Sequence, residues 1–315
     1  MKILLLSLCA AALFAAPDIQ VIRAPNGGIQ PRAVMDRAGT LHLLYYTGDH
    51  LHGDLFYVNS SNLGATWSSP VRVNSEPGTA IAAGTIRGGQ MAIGKNGRIH
   101  VAWNGASNPA SMFYSRINDS RTAFEPERNL MTHTFGLDGG GAVAADSTGH
   151  VYVAWHGKTQ GAASGEAGRE VWIAESNDDG KTFAAERPAW NEPTGACGCC
   201  GMAIFADSNG TVRALYRAAT ANVHRDIYLL TSHHDARDFT GRKVDTWEIN
   251  ACPMSSMDFA QAGGKVEGAW ETGGQVYFEN LTAKNAAPVS APQGGANHKH
   301  PRIAISPDGK TLMAW

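Results

Sequence analysis

Four cysteines and a scattered set of arginines are the side chains of this sequence best equipped for chemistry. Cys197, Cys199 and Cys200 fall in one Cys-x-Cys-Cys run, and Cys252 follows further along. Thiols grouped in this way either oxidise to disulfides or, as thiolates, hold a soft metal ion. His298 and His300 add imidazole nitrogens that suit copper(I) or zinc. Arg32, Arg87, Arg217 and Arg302 offer planar donor forks that match a carboxylate or a phosphate. Taken singly, each arginine is equally well read as a loop cap or the partner of a nearby aspartate. Asp49, at the end of a strand-like run, is a carboxylate able to handle a proton. These residues are spread along the chain, so only a fold can gather them.

A recurring phrase supplies that fold. A small apolar stretch, a polar turn with glycine and an alternating run ending in an aromatic appear six times. The copies are AVMDRAGTLHLLY at 33–45, AIGKNGRIHVAW at 92–103, VAADSTGHVYVAW at 143–155, IFADSNGTVRALY at 204–216, FAQAGGKVEGAW at 259–270 and IAISPDGKTLMAW at 303–315. In every copy the glycine precedes the aromatic by six residues, from Gly39/Tyr45 and Gly97/Trp103 to Gly309/Trp315. Strand-like residues flanking a turn rich in Asp, Asn and Gly are the mark of a β-hairpin. Alternation in RIHVAW and HVYVAW sends successive side chains to opposite sheet faces. Repeats of roughly 45–60 residues are too long for a β-helix coil and match four-stranded propeller blades. The chain is therefore predicted to be an all-β, six-bladed β-propeller. Its inner strands should begin near Arg32, Gln90, Gly141, Met202, Met254 and Arg302. The sixth copy stops at Trp315, so the last blade is expected to be truncated, with 19–23 a candidate closing strand.

A second pattern recurs between the phrases. Ser60 to Trp67 (SSNLGATW) and Ser176 to Phe183 (SNDDGKTF) share Ser, Asx, Gly, Thr and an aromatic at the same spacing; Ser232 to Phe239 and Ser115 to Phe124 are degraded copies. The Asx side chain caps a turn, glycine permits its backbone, and the aromatic buries between blades. This pattern is structural.

The 315 residues carry a formal charge of −2, with 36 glycines and 8 tryptophans. That balance argues against nucleic acid or an anionic membrane as a partner. Lys2, an apolar run from Ile3 to Phe14 too short to cross a bilayer, and Ala15-Ala16 before Pro17 read as an export signal over 1–16. Residues 17–315 would then form one secreted or periplasmic propeller domain, not spanning a membrane. Loss of Cys9 with the signal leaves four cysteines in an oxidising compartment. A disulfide from Cys252 to one of Cys197, Cys199 or Cys200 is expected there. A metal at the Cys/His cluster is the alternative, and no cofactor is otherwise required.

In a propeller the inner strand starts, and the second strand ends, on the same face beside the channel. Arg32, Arg87, Cys199, Cys200, Cys252, His298, His300 and Arg302 precede repeats; Asp49 and Arg217 follow them. All should converge on one opening, where arginines facing one another repel unless an anion sits between them.

On these residues the chain resembles the sialidase (neuraminidase) superfamily of Asp-box, or BNR-repeat, propellers. The best stretch is LHLLYYTGDHLHGDLFYVNSSNLGATW at 41–67. The resemblance implies that Asp49 is the acid/base aspartate and that Arg32 and Arg217 are two of three arginines gripping a substrate carboxylate, with Arg87 and Arg302 on the same face. There are departures. Cys199-Cys200-Gly201 stands where the family has a glutamate, Arg302 lies one blade late for the third arginine, and Tyr277 is the nearest counterpart of the nucleophilic tyrosine. The resemblance thus implies an exo-α-sialidase-type glycoside hydrolase, or a carbohydrate-recognising protein for a carboxylated sugar such as a sialylated glycan. The alternative is a non-catalytic propeller that binds a glycan, protein or metal through its top face.

Overall fold

The structure is a computed structural model that describes residues 20–84, 86–107, 110–207, 209–233, 236–292 and 298–315. The expected export signal lies outside the described residues. Among the described residues, twenty-two strands form six antiparallel sheets. Blade 1 is β1 (Ile29–Met35), β2 (Leu41–Asp49), β3 (His52–Ser60) and β4 (Val71–Arg72). Blade 2 is β5 (Gln90–Ile93), β6 (Ile99–Asn104), β7 (Met112–Arg116) and β8 (Arg128–Asn129). Blade 3 is β9 (Ala142–Ala145), β10 (Val151–Gly157), β11 (Glu170–Ser176) and β12 (Arg187–Pro188). Blade 4 is β13 (Ala203–Ala206), β14 (Thr211–Arg217), β15 (Ile227–His233) and β16 (Thr240–Asp245). Blade 5 is β17 (Asp258–Ala262), β18 (Lys265–Thr272), β19 (Gln275–Asn280) and β20 (Val289–Ser290). A last hairpin is β21 (Arg302–Ile305) with β22 (Thr311–Ala314).

The propeller is therefore all-β, but it has five four-stranded blades, not the six expected. Among the described residues the sixth repeat contributes the two strands β21 and β22. Expected strand 19–23 is not formed among its described residues 20–23. The consequence shows at the repeat aromatics. Tyr45, Trp103, Trp155, Tyr216 and Trp270 are all buried, whereas Trp315, beside a sheet of two strands among the described residues, is 41% exposed. Trp103, Trp155, Tyr216 and Trp270 bury between neighbouring sheets, and Tyr45 against its own blade and Ala24; each buried ring stabilises the fold by about 1.5–3 kcal/mol.

The hairpin turns explain the constancy of the glycine. Gly39, Gly97, Gly149, Gly210, Gly264 and Gly309 all take φ between 70° and 111°, a left-handed conformation that other residues reach only with strain. In three of these turns an aspartate completes the bend. Asp36 Oδ1 accepts from the Ala38 and Thr40 amides, Asp146 Oδ1 from Thr148, Gly149 and His150, and Asp207 Oδ1 from Asn209 and Thr211.

The strands β1, β5, β9, β13, β17 and β21 line a central channel of about 1260 Å³. Inner strands β5, β9, β13 and β21 start within a residue of the expected positions. β17 starts later than Met254, because Met254 takes a φ of 52° and bends the chain first. β1 starts earlier, at Ile29, with a bulge before Arg32.

The Asp-box turns join the third and fourth strands of blades 1 and 3, on the face opposite the starts of the inner strands. Both use one bonding scheme. The Gly64 and Gly180 amides donate to Ser60 and Ser176 Oγ at 2.8 and 2.9 Å. The Thr66 and Thr182 amides donate to Asn62 and Asp178 Oδ1 at 2.9 and 2.8 Å. Asn replaces Asp in blade 1 without loss of the amide bond.

Candidate functional site

The channel mouth on the inner-strand starting face gathers two of the expected arginines. Arg32 of β1 and Arg302 of β21 line one small cavity of about 60 Å³, together with Gln90, Gly201, Met202 and Ser256. Arg32 Nε donates to Gln90 Oε1 at 2.5 Å. Arg302 Nη1 lies 3.8 Å from Asp258 Oδ1, whose carboxylate also receives the Ile303 amide. Burial and the facing Arg302 charge push the Arg32 guanidinium down to about 10, against a smaller opposing pull from Asp258. Two cations thus line one small cavity whose described lining holds no carboxylate, with Asp258 beside it, an imbalance that a bound anion would correct.

Arg87 is held away from the cavity. It donates from Nη2 to Asp138 Oδ1 at 2.5 Å and from Nη1 to Ala83 O at 3.0 Å. Asp138 also receives Arg169 Nη2 at 3.1 Å. Arg217, at the end of β14, is fully buried: Nη1 donates to Arg225 O at 2.8 Å, Nη2 donates to Glu271 O, and the Trp247 ring lies over its guanidinium. Asp49 closes β2 at an exposed turn on the mouth face, where Oδ1 accepts the Leu51 amide at 2.9 Å. That bond, with His50 nearby, holds its carboxyl below the usual carboxylate range. Neither Asp49 nor Arg217 lines the mouth cavity. Tyr277, in β19, pairs with Trp270 across blade 5.

The cysteines converge as their loop positions imply, but not as disulfides. Cys197, Cys199, Cys200 and Cys252 are all free thiols. Cys197 Sγ stands 3.3 Å from Cys199 Sγ and 3.0 Å from Cys200 Sγ, well beyond the roughly 2.05 Å of an S–S bond. The expected bond from Cys252 to the trio is likewise not formed, although Cys252 reaches Cys199 closely enough to hydrogen-bond. Hydrogen bonds within the trio push the Cys197 thiol up. Cys200 is driven the other way: burial opposes ionisation, but thiol donors and the Arg217 charge hold it below its usual range. His298 and His300 do not join the thiols: His298 packs edge-on against Trp315 at 5.7 Å, and His300 Nδ1 lies 3.2 Å from Ser256 Oγ.

Several residues around the mouth carry no signal in the sequence alone. Glu166, in a blade 3 loop, accepts Arg225 Nη1 at 2.6 Å and the Gly198 amide at 2.6 Å, tying blades 3 and 4 to the cysteine loop. Gln90 was visible only as a strand start, yet it orients Arg32. Asp258 meets Arg302 of the last hairpin, and Arg169 meets Asp138, which lies 31 residues away along the chain. His156, at the end of β10, is fully buried, and desolvation beside Arg169 lowers it to about 4.

No protein-family model matches the chain, and no curated protein matches its sequence. Solved structures do share its shape. A Trypanosoma rangeli sialidase in complex with 2,3-difluorosialic acid superposes with a TM-score of 0.62 at 11% identity, covering 93% of this chain and 53% of that one. A Hadza microbial sialidase aligns at TM-score 0.58 and 13% identity, over 88% of this chain and 60% of its own. A polysaccharide lyase described as an ulvan lyase aligns at TM-score 0.53 and 12% identity, over 90% and 75%. The chain thus spans a little over half the length of these two sialidases. The likeness establishes a sialidase-like propeller fold.

Proposed function

We propose that this protein is an exported propeller that recognises a carboxylated sugar at the mouth of its channel. The carboxylate would sit between Arg32 and Arg302. The observation that carries the reading is that Arg32 and Arg302 line one cavity near enough for their charges to repel, while Asp258, outside that lining, offsets them only in part. Arginine forks bind carboxylates through paired, charge-assisted bonds. The polar lining from Gln90 and Ser256 suits sugar hydroxyls. The solved structures of like fold that act on carbohydrates support the class of ligand.

Recognition is favoured here over exo-sialidase-type hydrolysis. Hydrolysis of that kind asks Asp49 to deliver a proton and Arg217 to grip the substrate. Asp49 is an exposed aspartate held below the usual range, so it is ionised at neutral pH and a poor acid. Arg217 spends its guanidinium on main-chain oxygens.

Calorimetry with N-acetylneuraminic acid, glucuronic acid and glucose tests the reading, alongside turnover of a chromogenic sialoside. The acidic sugars should bind and glucose should not. Arg32→Ala and Arg302→Ala should each weaken binding about 10- to 100-fold, the cost of about 1.5–3 kcal/mol for a charge-assisted contact. Equal binding of glucose, or binding indifferent to both substitutions, would overturn the site. Sialoside release that depends on Asp49 would restore the hydrolase.

A further inference from the structure

We propose that Cys197, Cys199 and Cys200 form a three-thiolate site for a thiophilic closed-shell cation, copper(I) or zinc(II), with the exposed Cys252 as the ligand through which the ion enters and leaves.

The first support is convergence. The three sulfurs all lie within 4.8 Å of one another, on a loop that buries Cys197 and Cys200 completely and leaves Cys199 at the boundary. Metal–sulfur bonds of about 2.3 Å give sulfur–sulfur edges of roughly 4 Å, which small side-chain rotations here would reach. Covalent pairing within the trio would leave one sulfur for Cys252 to match, whereas a single ion can use all three.

The second support is the surroundings of the sulfurs. The Met254 main chain lies by Cys199 and the Ser255 main chain by Cys200, where each favours the thiolate. The left-handed bend at Met254 brings this stretch of main chain beside the sulfurs. Such contacts stabilise thiolates and orient metal ligands. The cationic Arg217 lies by Cys200 and Arg225 by Cys197 and Cys199, so thiolate charge has positive partners nearby.

The third is that the loop is pinned rather than loose. The Cys197 amide donates to Arg217 O at 2.9 Å and the Gly201 amide to Ser255 O at 2.9 Å. Gly198 permits close approach: a Cβ there would stand 2.5 Å from Asp138 Oδ2 and 2.8 Å from Arg169 Nη1. Three blades therefore hold the three sulfurs in place.

Cys252 completes the picture. It is exposed, and its sulfur, Cys199 and a Glu166 oxygen form a second group within 4.8 Å that shares Cys199 with the first. Glu166 is already engaged by Arg225 and Gly198, so it positions the loop and Cys252 is the accessible ligand. An ion captured by Cys252 and Cys199 needs only to exchange one sulfur to reach the buried trio. Each thiol that ligates loses its proton to the buffer, and no electron is transferred.

The full chain is purified without chelator, reduced, and titrated anaerobically with zinc(II) and, separately, with copper(I). Elemental analysis after desalting reads retention, independently of any sugar binding. One equivalent of one of the two ions should be retained per chain, and which one is retained identifies the cation. Cys200→Ser should weaken affinity at least 100-fold at an unchanged thermal transition; if that variant does not fold, Cys197→Ser serves in its place. Cys252→Ser should keep the stoichiometry but slow transfer to a competing chelator at least 10-fold. Two disulfides in the native protein, Cys197–Cys200 and Cys199–Cys252, with no ion retained after reduction, would overturn the site. So would full retention in both trio variants.

Discussion

Arg217 of blade 4 and Glu271 of blade 5 face each other in complete burial, with Nη2 and Oε2 3.6 Å apart. Each is the near-terminal residue of its blade's second strand, so the pair joins two blades just beneath the mouth. Glu271 Oε1 accepts the Gly274 amide at 2.7 Å, which fixes the carboxylate from behind. Removing either partner leaves an uncompensated buried charge. Arg217→Ala or Glu271→Ala is expected to destabilise the propeller by about 3–5 kcal/mol. Differential scanning calorimetry should show a drop of roughly 10 °C. The double substitution Arg217→Met with Glu271→Leu should cost much less than the sum of the two single ones.

Ligand at the mouth should be legible as stability. A sugar that binds only the folded state at 100 times its Kd stabilises by about 2.7 kcal/mol. N-acetylneuraminic acid should therefore raise the melting temperature of the wild type. The rise should vanish in Arg32→Ala, and it should shrink with salt, because the contact is between charges.

His156 makes acid sensitivity specific. Its folded value of about 4 lies below the value of about 6.5 expected when unfolded, because burial penalises the charged ring. The unfolded chain therefore binds the extra proton first. The stability contributed by the neutral ring is present above pH 6.5 and is lost as the pH falls towards 4, by about 3 kcal/mol in all. Urea titrations of wild type and His156→Gln across pH 4–7 should show the wild-type midpoint falling more steeply. Parallel curves would contradict this.

The two intact Asp-boxes provide a graded comparison. Burial acts to raise Asp178, but hydrogen bonds from Thr182, Ser176 and Lys181 hold it down to about 2. Asp178→Ala loses the turn amides and should cost about 1 kcal/mol. Asp178→Asn keeps the Thr182 amide bond, as Asn62 does in blade 1, and should cost a few tenths. Denaturant midpoints measure both.

Much of this architecture was legible in the sequence, for a local reason. A glycine forced to a positive φ and an aromatic at a constant spacing are properties of one hairpin, and each repeat carries its own copy. Turn chemistry acts over a few residues, so Gly39 or Asp178 discloses its role without knowledge of the remaining blades. The shared face for Arg32, Arg302 and the cysteines also followed, because strand polarity alone sends those residues to one end of the channel. What tertiary structure decided is how the gathered groups are engaged. Arg32 and Arg217 look alike in sequence, but one lines a cavity with Arg302 and the other is buried beneath Trp247 against Glu271. That difference depends on residues contributed by other blades, whose distances from the arginines along the chain follow no period. The same holds for the thiols. Cys-x-Cys-Cys is compatible with a bond or an ion, and only the fold sets the Sγ separations of 3.0 and 3.3 Å, at which no bond is formed. Blade count, too, was a matter of assembly. Six repeats announce six hairpins, but a four-stranded blade needs two outer strands that a repeat phrase does not encode, and among the described residues β21 and β22 have none.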